Sequence, residues 1–76
     1  VRITVLDDDP GRKINAGHER YRILFNGNEL RRCVTADDGL GEAIIIAEDS
    51  AGKIMLENGE IRYETLHGIV SIERIQ

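Results

Sequence analysis

The sequence predicts an all-β fold, mainly antiparallel, built as a small hairpin barrel or sandwich of about five to seven short strands. Three observations carry this. Short runs alternate apolar and polar residues, two Asn-Gly pairs separate such runs, and no stretch repeats its apolar residues at helical spacing. Seventy-six residues are too few for two cores, so the expectation is one domain over 1–76, with a polar loop at about 7–18.

Arg2-Ile-Thr-Val-Leu6 alternates and ends in acidic residues, which makes it the first strand. The long polar stretch from Asp7 to Gly17 follows, with Pro10-Gly11 suited to the centre of a type II turn. Glu19 to Phe25 is the second strand, with Tyr21, Ile23 and Phe25 on one face and Arg20, Arg22 and Leu24 on the other. A turn centred on Gly27-Asn28 pairs Phe25 with Leu30 and Tyr21 with Val34, two apolar matches, but it leaves Arg32 opposite Ile23. In that register Arg20, Arg22 and Arg31 share one outward basic face, and Cys33 faces away from the Tyr21 side.

Asp37 to Gly41 turns the chain into Ala43-Ile-Ile-Ile-Ala47, which is apolar on both faces. Such a strand is either central and covered on both sides, or a subunit contact through Ala43, Ile45 and Ala47. Lys53 to Leu56 is a short strand, and Asn58-Gly59 turns it into Ile61 to Thr65. Ile69 to Ile75 closes the fold after Gly68. Leu24-Phe-Asn-Gly-Asn-Glu-Leu-Arg31 echoes Leu56-Glu-Asn-Gly-Glu-Ile-Arg62 around the two turns.

Composition narrows the function classes. Only Tyr21, Phe25 and Tyr63 are aromatic, so the core rests on Ile, Val and Leu. The lone Cys33 excludes an internal disulfide and a cysteine zinc site, and His18 and His67 lack metal-ligand spacing. Asp7-Asp8-Asp9 reads as a solvated loop, since consecutive acids diverge and the calcium-loop pattern is absent. Cys33 has no identifiable base beside it and reads as a small apolar residue. Neither a phosphate loop nor a nucleophile elbow is present, and Ser50 and Ser71 stand in no such motif. The expectation is therefore a protein that is not an enzyme and takes no cofactor or metal.

No apolar run is long enough to span a membrane, so no membrane partner is expected. Residues 1–32 hold seven Lys/Arg against five acids (+2), and residues 33–76 hold three against nine (−6), within a net charge of −4. Opposite poles suit head-to-tail contact between identical subunits. Nucleic acid would have to bind through Arg20, Arg22 and Arg31, but Tyr21 and Phe25 point the other way and the whole chain is acidic.

Phe25-Asn-Gly-Asn-Glu29, Cys33-Val-Thr-Ala-Asp37, Gly52-Lys53, Asn58-Gly59-Glu60, Tyr63-Glu64 and Leu66-His-Gly-Ile-Val70 form a set. Over about residues 19–75 it resembles small, largely uncharacterised proteins encoded by tailed phages and prophages. The resemblance implies a phage setting and transfers no catalytic or binding residue. The expected function is a self-associating structural or assembly protein, for example in head decoration or head–tail joining. Its partners would be itself or other phage proteins, in the virion or the host cytoplasm. The alternatives are a regulator binding nucleic acid through the basic face, and a binder of a host protein by strand addition.

Overall fold

The computed structural model describes residues 1–15 and 17–75; Ala16, inside the expected polar loop, and Gln76 lie outside the described residues. No helix occurs among the described residues. The strands are β1 (Arg2–Thr4), β2 (Arg12–Lys13), β3 (Tyr21–Phe25), β4 (Asn28–Glu29), β5 (Cys33–Asp37), β6 (Glu42–Ile46), β7 (Leu56–Glu57), β8 (Glu60–Ile61), β9 (Tyr63–His67) and β10 (Val70–Arg74). They form a five-stranded sheet, β2-β1-β5-β6-β9, a three-stranded sheet, β10-β3-β4, and the separate hairpin β7-β8. All pairings are antiparallel except β1 with β2, which is parallel. The architecture is sandwich-like and does not close into a barrel.

Alternation decides which side chains meet between the sheets. In the larger sheet, Ile3, Ala36, Ala43 and Leu66 stand in register across β1, β5, β6 and β9. In the smaller sheet, Val70 is paired with Phe25 and Ile72 with Ile23. Ile3, Ile23, Ala36, Ala43 and Val70 form the buried core, with Ile14, Tyr21, Phe25, Leu30, Cys33 and Ile72 packed around it. The row behind carries Thr4 and Thr35, whose hydroxyls bond each other at 2.7 Å.

Three local expectations are corrected. Asn26 (φ 51) and Gly27 (φ 86) are the left-handed pair of a type I′ turn, so Phe25 is paired with Asn28 and Leu24 with Glu29. The two-residue turn matches the twist of its strands and displaces the Phe25–Leu30 register. Tyr21 lies opposite Arg74 instead of Val34, because Arg32 (φ 57) bends the chain out of this sheet and β5 joins the other one. Arg32 then lies on the surface, with its Nε 3.5 Å from Glu48, and the conflict with Ile23 disappears.

The second correction is in the first loop. Gly11 does not adopt positive φ, which a type II turn on Pro10-Gly11 requires. The turn is made by Asp9 instead, whose Oδ1 accepts the Gly11 N–H at 2.8 Å. The third concerns Cys33. An irregularity in the β5–β6 ladder between Cys33 and Thr35 turns the thiol toward Tyr21 and the core.

The second hairpin follows the pattern of the first. Asn58 (φ 53) and Gly59 (φ 79) repeat the type I′ geometry, with Glu57 paired to Glu60 and Leu56 to Ile61. The internal echo is thus an echo of turn geometry.

Candidate functional site

Of the three arginines expected to share a basic face, Arg22 stands beside acidic side chains. Arg22 Nη1 lies 3.4 Å from Glu73, its cross-strand neighbour on β10, and its Nε lies 4.0 Å from Glu29 on β4. Arg20 precedes β3 and Arg31 follows β4; neither side chain makes an ion pair among the described residues. The surface is of mixed charge, and its neutralising acid, Glu73, stands fifty-one residues away in sequence.

Ala43 on β6 and Ala47 just after it are 0% and 1% exposed and face the protomer's own interior. Ile45 is half-buried on the Ala43 side, opposite Cys33. The contact residues expected from sequence are thus turned inward. The second apolar face of the strand belongs to Ile44 and Ile46, both half-buried. Ile46 lies opposite Tyr63, which is 45% exposed, and Ile44 opposite Thr65. Leu56 and Ile61 of the small hairpin are also exposed.

β9 forms one border of the larger sheet. Its hydrogen-bond phase follows from two bonds that flank it: Ala47 N–H donates to Arg62 C=O, and Gly68 N–H to Gly41 C=O, at 2.8 and 2.9 Å. Alternation from these points turns the backbone groups of Glu64 and Leu66 toward β6. Those of Tyr63, Thr65 and His67 face outward along the free border. Sequence alone could not have identified this row, because its phase depends on pairing with β6.

At the opposite end of the sheet Arg2 gathers three carboxylates. Its Nε and Nη2 donate to both oxygens of Asp9 at 2.9 and 2.8 Å, and its Nη1 donates to Glu42 at 3.1 Å and Asp37 at 3.5 Å. The Arg2 guanidinium holds Asp9 below the ordinary carboxylate range, with help from the Gly11 N–H. Asp37 is also held low, chiefly by the Leu40 and Gly39 N–H groups and then by Arg2. Asp7 pairs with Lys13. The acidic triplet is thus divided between partners, and no cluster of metal-ligating side chains occurs among the described residues.

A cleft of about 290 Å³ opens between β1, β5 and β3. Ile3, Ile14, Tyr21, Ile23, Cys33 and Ala36 line it, and Glu19 and Arg20 border it. Burial pushes the Cys33 thiol up, and the thiol donates a hydrogen bond to Thr35 C=O at 3.2 Å. A thiol held in its protonated form is a poor nucleophile. Glu19 is held low by the Asn15 N–H, Arg12 and Tyr21. No helix among the described residues is long and apolar enough to cross a membrane. No protein-family model, curated protein or solved structure matches the chain.

Proposed function

We propose that the protein is a non-enzymatic assembly protein that associates with copies of itself along the outward border of β9, in the phage setting its sequence resemblance implies. The observation that carries this reading is the phase of β9, which leaves the N–H and C=O groups of Tyr63, Thr65 and His67 facing outward.

A second copy fits this border by two-fold symmetry. With Thr65 opposite Thr65 of the second copy, Tyr63 falls opposite His67, and every outward N–H meets a C=O. Glu64 then falls opposite Leu66, so no like charges are paired. The Ile44, Ile46 and Tyr63 face would continue across the joint and bury apolar surface beside it. This contact is two-fold and joins the acidic halves, unlike the head-to-tail arrangement that the charge asymmetry alone suggests. Nucleic-acid binding is the weaker reading, since Arg22 is already paired with Glu73 and Glu29.

Proline separates assembly from folding. The Thr65 N–H faces outward, so Thr65→Pro removes a donor that the protomer does not use. Sedimentation at micromolar concentration is expected to show association in the parent and a folded monomer in Thr65→Pro. Leu66→Pro removes an N–H directed at β6 and is expected to unfold the chain. A parent that sediments as a monomer, or a Thr65→Pro variant that still associates, sinks the proposal.

A further inference from the structure

We propose that the cleft between the two sheets binds a medium-chain alkyl carboxylate, with the tail between the sheets and the carboxylate on Arg20. This site is separate from the β9 border and does not depend on self-association.

The walls suit an alkyl tail. Ile3, Ile14, Ile23, Ala36 and the ring of Tyr21 supply apolar surface. Thr4 and Thr35 also reach the cleft, but their hydroxyls are engaged: they bond each other, and Thr4 Oγ1 also accepts the Leu6 N–H at 3.0 Å. Water entering the cleft would find few open partners. An apolar cavity of about 150 Å³ accepts benzene. A volume of about 290 Å³ therefore suits a chain of about eight to ten carbons.

The rim supplies the charge. Glu19 Oε1 accepts from Arg12 at 3.2 Å and from the Tyr21 hydroxyl at 3.0 Å, while Oε2 accepts the Asn15 N–H at 3.1 Å. That carboxylate is satisfied and its charge is balanced by Arg12. Arg20 is held through its backbone, whose C=O accepts the Ile75 N–H at 2.9 Å. Arg20 borders the cleft, and its guanidinium makes no hydrogen bond or ion pair among the described residues. A guanidinium without a partner beside an apolar cleft is complementary to a carboxylate with an alkyl tail.

Cys33, the single cysteine, lines the cleft and reports on its occupancy. Decanoate, below its micelle-forming concentration, is expected to slow alkylation of Cys33 by N-ethylmaleimide at least about fivefold. The protection should saturate at one decanoate per chain and be accompanied by a rise in Tm. Decanol, which keeps the tail and lacks the charge, is expected to bind about tenfold more weakly. Arg20→Glu should weaken decanoate about tenfold and leave decanol unchanged, and Arg20→Gln should fall between. Absence of saturable protection by decanoate would overturn the proposal. Equal decanoate affinity in the parent, Arg20→Gln and Arg20→Glu would overturn it as well.

Discussion

Arg2 projects from β1 into carboxylates supplied by three separate segments: Asp9 from the first loop, Asp37 from β5 and Glu42 from β6. Its side chain is 19% exposed, so these bonds are partly shielded from water. Charge-assisted bonds of this kind contribute about 1.5–3 kcal/mol each, less where salt and solvent reach them. Arg2→Met keeps the stem, removes the cation and is expected to cost about 2 kcal/mol at pH 7. The pH dependence gives the sign. Asp9 and Asp37 titrate lower in the folded chain than in the unfolded one, so the unfolded chain takes up protons first as pH falls. Their contribution is present above the ordinary aspartate value of about 4 and is lost as pH drops through the folded values. In Arg2→Met the largest cause of the Asp9 shift is gone. Urea unfolding at pH 7, 4 and 3 should show the gap between parent and variant narrowing as pH falls. A gap that stays constant would mean that the clamp acts through packing and not charge.

The joint between strands depends on a close backbone approach that only glycine permits. Gly41 ends the β5–β6 turn at φ +67, and a Cβ there would run into the Gly68 carbonyl oxygen. Gly41 C=O in turn accepts the Gly68 N–H, at the point where β9 gives way to β10. Gly41→Ala combines left-handed strain with this collision and is expected to cost more than about 2 kcal/mol. In a domain of this size the corresponding drop in Tm is at least about 8 °C. A drop below about 2 °C would show that the two turns move apart at little cost. Elements of this local kind were legible in the sequence. The Asn58–Gly59 hairpin and the β6 strand follow from residues that are neighbours along the chain. The first Asn-Gly turn was misplaced by one residue, because apolar matching favoured partners that β5 withdraws by joining the other sheet. Pairings such as Tyr21 with Arg74 and Arg2 with Asp37 leave no local trace. The doubly apolar strand was visible in the same way. Which of its faces is covered depends on a sheet assembled from both ends of the chain, so the sequence leaves open whether Ala43 and Ala47 face the interior or a subunit contact, and in the fold both are buried. The cleft draws on Ile3, Ile14, Tyr21 and Cys33, and no motif unites them.

The two halves of the chain differ in charge, +2 over residues 1–32 and −6 over residues 33–76, and the β9 border belongs to the acidic half. β1 to β4 come from the basic half, while β5 to β10, including the β9 border, come from the acidic half. Two copies joined through β9 bring their acidic halves together, and the hydrogen bonds and apolar contacts at the joint must outweigh that repulsion. Salt screens such repulsion, since the Debye length shrinks from about 10 Å at 0.1 M to about 3 Å at 1 M. Self-association through β9 should therefore tighten severalfold between 0.05 and 0.5 M NaCl. Nucleic-acid binding through Arg20, Arg22 and Arg31 would respond in the opposite direction. Three phosphate contacts give a slope near −2.7 in log K against log salt, or a loss of about a hundredfold or more over the same range. Sedimentation of the protein alone, alongside fluorescence anisotropy with a labelled duplex at each salt concentration, distinguishes the two by sign. Association that weakens with salt would place the contact between opposite charges, returning the head-to-tail arrangement and removing the β9 joint.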